Sequence, residues 1–143
     1  MTTTRFGDAW ESPGFLLWHA TLRWQRAMRA ALDPHGLTHV QFVLLASCWW
    51  LTDHGGPPTQ RQLADHAGTD AMMTSQVVRA LADNGLVTRT RDAADGRVWR
   101  VRLTSAGSKR LRSALPDVEQ ADVDYFAAAS TPDVVATLKS LIG

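Results

Sequence analysis

Residues 59–107 constrain the fold more than any other part of this chain: TQRQLADHAGTDAMMTSQVVRALADNGLVTRTRDAADGRVWRVRLTSAG. Thr59 is placed to cap a short helix from Gln60 to about His66, with Leu63 and Ala64 turned inward. Ala67-Gly68-Thr69 forms a turn in which Gly68 can take a positive φ at no steric cost. A second helix follows from about Asp70 to Asn84, with Met73, Val77, Ala80 and Leu81 as its core stripe and Gly85 at its C′ position. Leu86–Arg91 and Val98–Leu103 then read as two strands joined by residues 92–97. Trp99, Val101 and Leu103 alternate with Arg100 and Arg102, which predicts a half-buried ribbon with a cationic outer face. Two helices at a tight turn followed by a basic hairpin make a shape that fits duplex DNA, because a helix fills the major groove and a ribbon tip reaches phosphates or the minor groove.

Charge distribution supports this reading better than net charge does. The 143 residues carry a formal charge of only +1. Residues 1–60 are balanced, with four Arg against four acids, whereas residues 61–110 hold nine basic and five acidic groups. Residues 111–143 reverse the sign, with two basic and five acidic groups. A basic middle between neutral and acidic ends predicts one cationic surface rather than a generally adhesive protein. Hydrophobic residues at 45% and a single cysteine fit an ordinary globular protein with no internal disulfide. There is no signal-peptide pattern, and the apolar run Val40–Leu51 is too short for a bilayer, so the expected location is the cytoplasm without membrane association.

The flanking segments predict helices. Residues 1–12 are polar and expected to be loose, and Ser12-Pro13 signals a helix start. From Phe15 to about Leu32 the apolar residues fall on two faces: Phe15, Trp18 and Leu22 on one, Leu17, Trp24, Met28 and Ala31 on another. A helix apolar on two faces packs against two bodies, such as its own domain and a partner chain. Thr38 caps a helix from His39 to about Thr52 that is apolar nearly all round. Thr104 caps a long helix over about 105–122 that contains Pro116, and a last short apolar helix starts at Thr131-Pro132-Asp133. The expected fold is mainly α with a small β-wing: a winged helix-turn-helix lobe plus a helical dimerisation region formed by the N- and C-terminal helices. The divisions are 1–36 (N-terminal dimerisation helix), 37–104 (winged lobe) and 105–143 (C-terminal dimerisation helices).

Candidate DNA-contacting residues lie on the second helix and the ribbon. Met72, Thr74, Ser75, Gln76 and Arg79 are the expected exposed positions of that helix, together with Asp70 at its start. Gln can bond adenine bidentately, and Ser or Thr can serve phosphates or base edges. Thr59, Gln60 and Thr69 flank the turn at the helix ends. The ribbon adds Arg89, Arg91 and Arg97, with Arg100 and Arg102 on the second strand. Arg97 at the tip suits a narrow, electronegative minor groove, and Asp95 can hold its guanidinium by a charge-assisted bond.

These segments resemble the MarR family of winged-helix transcription regulators. Gly36-Leu37-Thr38 through Gln41-Phe42 looks like that family's second-helix start. Met72 to Leu81 followed by Gly85-Leu86-Val87 is similar to its recognition helix, and Asp95-Gly96-Arg97 with Leu103-Thr104 and Gly107 matches its wing and fifth-helix start. The resemblance covers roughly residues 13–142. It implies a homodimer on double-stranded DNA carrying a pseudo-palindromic operator, and in many members a small, often aromatic effector that releases DNA. The chain departs from the family pattern at Gln76 and Gly96, where Arg is common, so an operator sequence cannot be carried over.

An effector pocket is expected between the first two helices and the lobe, lined by Trp18, His19, Leu22, His39, Phe42 and Trp49, where aromatic faces and a polar imidazole could hold a flat ligand. Cys48, beside Trp49 and Trp50 in the most apolar helix, reads as a buried structural thiol. The histidines lack metal-ligand spacing and no nucleophile or paired-carboxylate set is present, so neither a metal, a cofactor nor an enzyme is expected. The readings that compete with an effector-released repressor are an activator or ligand-independent regulator, and a winged helix used only to bind protein.

Overall fold

A computed structural model describes residues 3–143. It contains six helices and one two-stranded sheet: α1 Pro13–Leu32, α2 His39–Gly55, α3 Gln60–Ala67, α4 Ala71–Asp83, β1 Val87–Arg91, β2 Trp99–Leu103, α5 Ser105–Tyr125 and α6 Thr131–Ile142. Local chemistry sets most boundaries. Ser12 accepts from the Phe15 amide and Pro13 occupies the first turn of α1. Thr38 with Gln41, and Thr59 with Gln62, form reciprocal capping boxes at α2 and α3. Gly68, at φ 73°, ends α3 in the left-handed region and opens the turn into α4.

The loose start expected for residues 1–12 falls partly on residues 1 and 2, which lie outside the described residues. From residue 3 onward the segment includes a short 3-10 turn, Ala9–Glu11, capped by the Asp8 carboxylate on the Trp10 amide. Trp10 is drawn there by aromatic contact, its ring 5.1 Å from Phe15 and 4.8 Å from His19.

The core gathers inward residues of every lobe element around α2. Leu44, Leu45 and Cys48 of α2 meet Met28 and Leu32 of α1, Leu63 of α3, Val78 and Leu81 of α4, Val101 of β2, and Leu111 and Ala114 of α5. The sheet is antiparallel, with Val87 opposite Leu103 and Arg91 opposite Trp99. α5 continues through Pro116 to Tyr125, a few residues beyond its expected end.

Two helices leave apolar surface uncovered. Phe15, Leu16, Leu17 and Trp18 are exposed at the start of α1. In α6 no residue is buried, and Val135, Leu138, Leu141 and Ile142 are all exposed. No helix among the described residues is long and apolar enough to cross a membrane.

Candidate nucleic-acid interface

The outward face of α4 carries Met72, Gln76 and Arg79, all exposed, with Ser75 half-buried beside them. Asp70 is the N-cap, its carboxylate accepting from the Met73 amide at 2.7 Å. That charge complements the positive helix end and offsets its pull on an external anion.

Thr74 was expected on the outward face and is instead completely buried. Its hydroxyl donates to the Asp70 carbonyl at 2.7 Å and lies 2.7 Å from the Thr69 hydroxyl. With both polar neighbours inside the protein, Thr74 can sit in the core and cannot touch a groove. The core stripe of α4 is correspondingly Thr74, Val78 and Leu81. Met73 lies off that stripe and is exposed, while Val77 and Ala80 are half-buried, a shift of about one position from the expected phase.

Thr59, Gln60 and Thr69 are half-buried rather than open. The Thr59 hydroxyl is used in its capping box, and the Gln60 Oε1 is buried without a partner. Only part of each residue remains for an outside ligand.

The wing divides its arginines into three settings. Arg97, at the tip, has a side chain 92% exposed, and its Nε lies 3.2 Å from the Asp95 carboxylate. The Asp95 carboxyl is held below its usual range first by that side-chain bond and then by the Arg97 amide, so it stays ionised and keeps the guanidinium aimed. Arg100 was expected on a free cationic face. It is tied down instead, donating to Asp92 at 2.5 Å and to the Pro57 carbonyl at 2.7 Å. The Pro57 bond anchors the ribbon to the loop before α3, the Asp92 bond braces the wing loop on its own strand, and that Arg100 bond is the first cause of a lowered Asp92 pKa. Arg89 and Arg91 both lie over the ring of Trp99, their guanidinium carbons 4.4 and 4.5 Å from its centroid. Arg91 also donates to the Gly96 carbonyl.

The six residues expected around an effector do not line one cavity. Phe42 and Trp49 border an apolar hollow of about 330 Å³ that also takes in Val43, Ala46, His66, Leu111 and Leu115. His39 borders a different hollow of about 610 Å³, with Arg29, Asp33, Val43 and Thr69. His19 is half-buried in the cluster with Trp10 and Phe15, and Trp18 is 62% exposed. Trp18 and His19 are adjacent on a helix, and successive helical side chains point about 100° apart. Cys48 is buried with its thiol directed at the Val101 carbonyl at 3.6 Å, and desolvation raises its pKa.

Several joints between α5 and the rest of the chain were not readable in advance. His35 Nε2 lies 2.6 Å from Asp117 of α5, and Arg110 donates to the His35 carbonyl. Trp24 Nε1 donates to Asp122, and the Tyr125 hydroxyl donates to the Ala20 carbonyl. Each pairs residues at least 75 positions apart, and no local pattern signals such a contact.

Comparison with known proteins gives a consistent picture. The sequence model of the MarR family matches residues 37–99. An HTH-type transcriptional regulator of Bacillus subtilis, YdcH, is 45% identical over 88% of this chain and 86% of its own length. An HTH-type transcriptional repressor of Mycobacterium tuberculosis is 29% identical over 83% of both chains. Among solved structures, CouR of Rhodococcus jostii RHA1 with p-coumaroyl-CoA superposes with a TM-score of 0.80 at 26% identity, covering 94% of this chain and 92% of that one. A CouR structure on a 23-mer DNA duplex covers 99% and 96%, with a TM-score of 0.78 and 26% identity.

Proposed function

The chain belongs to the MarR family of transcription regulators, and on that premise we propose that it works as a cytoplasmic homodimer that reads a pseudo-palindromic operator and represses transcription until a small effector binds. The observation that carries the DNA reading is the pairing of an outward α4 face (Met72, Ser75, Gln76, Arg79) with a wing whose Arg97 stands 92% exposed and steered by Asp95. Two α4 helices would enter successive major grooves about 10 base pairs apart while each Arg97 reaches the flanking minor groove. Thr59, Gln60 and Thr69 would support this from the edge of the turn, and Thr74 holds the turn from inside. Residues 37–104 form the reading lobe in this scheme, and residues 1–36 with 105–143 form the base.

Repression is favoured over activation by the repressor relative, and an effector by the p-coumaroyl-CoA bound to CouR. Of the residues expected to hold an effector, Phe42 and Trp49 border the apolar hollow between α2 and α5 and are the ones retained here. The role requires no catalysis, metal or cofactor. Gel-shift titration against selected operator DNA at several salt concentrations tests the assignment. Arg97→Ala should weaken binding and make the salt dependence shallower by about one phosphate equivalent. Equal affinity for wild type and variant across the salt series would remove Arg97 from the interface.

A further inference from the structure

The inner face of the wing contains an arrangement that folding alone does not call for. Register places Arg89, Arg91, Trp99 and Val101 on one face of the ribbon. Val101 is buried, so that face turns toward the lobe, and Trp99, one step outward, is half-buried at its edge. Both guanidiniums lie over this one ring, at 4.4 and 4.5 Å. α4 packs against β1, and Arg79 stands exposed on α4; burial lowers the Arg89 pKa first, and the charges of Arg79 and then Arg91 add to it.

None of these three arginines has a carboxylate partner among the described residues, where the ion pairs are His35–Asp117, Arg97–Asp95 and Arg100–Asp92. The two acids of the wing loop are thus committed to other arginines. Arg89 Nε is buried with no acceptor at all. Like charges gathered without an internal counterion are unfavourable by themselves and become favourable when an external anion arrives. A carboxylate would fix the same side chains but would also neutralise them. An aromatic face fixes them through its quadrupole and leaves the positive charge available.

We propose that Trp99 is a positioning residue that holds Arg89 and Arg91 as a clamp for one backbone phosphodiester of DNA, with Arg79 of the adjoining recognition helix adding a third positive charge. The proposal rests on the DNA-binding reading above and adds a contact between the α4 and wing-tip contacts. Arg91 also binds the Gly96 carbonyl, so the same ring steadies the loop that carries Arg97.

The test is fluorescence anisotropy with a labelled random-sequence duplex over a salt series, using the full chain, Trp99→Leu, Trp99→Tyr and the pair Arg89→Gln/Arg91→Gln, with melting temperatures measured in parallel. Trp99→Leu should bind about tenfold more weakly at moderate salt, with a salt slope shallower by about one phosphate equivalent. Trp99→Tyr, which keeps an aromatic face, should recover most of the slope even if its melting temperature resembles that of Trp99→Leu. The double Gln variant, which leaves the ring and Val101 packing in place, should lose at least as much slope, and it gives the answer if Trp99→Leu fails to fold. A wild-type salt slope in the double Gln variant overturns the clamp. A slope that tracks melting temperature rather than aromaticity reduces Trp99 to a packing role and overturns it as well. If the wild-type chain binds no duplex at low salt, the DNA reading itself falls together with the clamp.

Discussion

At the residue scale, several polar side chains take roles opposite to those their type suggests. Thr74 is a hydroxyl in the core because Thr69 and Asp70 supply its partners, a compensation invisible until the turn has folded. Arg100 is tied to Asp92 and the Pro57 carbonyl, while Arg97 stands exposed at the tip with only Asp95 beside it, although they lie three residues apart in the same basic run. The alternation of the strand was legible, but which arginine meets which acid depends on loop geometry. His39 offers a titration test at this scale. It lies 5.0 Å from the Trp24 ring in an edge-on contact, and burial lowers its pKa from 6.5, with Asp122 opposing more weakly. As pH falls through 6.5, the unfolded chain takes up this proton before the folded one does. Stability contributed by neutral His39 is therefore present above pH 6.5 and declines below it. His39→Gln should flatten the drop in urea midpoint between about pH 7.5 and 5.5. A variant whose midpoint falls as steeply as wild type would show that other groups set the acid limit.

At the element scale, the order and type of helices and strands were readable because caps, turns and periodicities agreed from Thr38 to Gly107. The phase of α4 was not, since apolar residues occupy more than one of its faces and Met72 and Met73 are both exposed. Gly107 marks a contact that composition could not explain. It lies in the first turn of α5, where alanine would be the better helix former by about 1 kcal/mol. A Cβ there would sit 1.9 Å from the Leu86 carbonyl oxygen. Gly107→Ala should therefore destabilise the protein, by about 1–3 kcal/mol as in other overpacked sites, despite the propensity gain. Thermal melts decide the sign: a stabilised variant would mean that the start of α5 can move away from Leu86 freely.

At the scale of the whole molecule, the exposed apolar residues of α1 and α6 are the strongest argument for a second copy. No residue of α6 is buried within its own chain, and a helix in that condition gains stability chiefly by packing on a partner. Replacing Leu138 and Leu141 together with Asp should yield a monomer by analytical ultracentrifugation. Its affinity for a full operator should drop much more than its affinity for a half-site. A stable dimer in the double variant would place the interface elsewhere. The expectation of a partner came from the two-faced first helix and the apolar last helix together; that no residue of α6 is buried in its own chain follows only from the fold.

α5 gives a mechanical reading of such a dimer. Its 21 residues make an unbroken rod about 30 Å long. One end is fastened to the lobe, where Thr104 donates to the Gly85 carbonyl and Gly107 presses on Leu86, and the other to α1 through Asp122 and Tyr125. Rotating this rod by about 10° at its far end would carry the lobe roughly 5 Å. Mirrored in two copies, that is about a third of the 34 Å between successive grooves. The pair would behave like calipers, in which a displacement of ångströms at the handle decides whether both points still meet the scale.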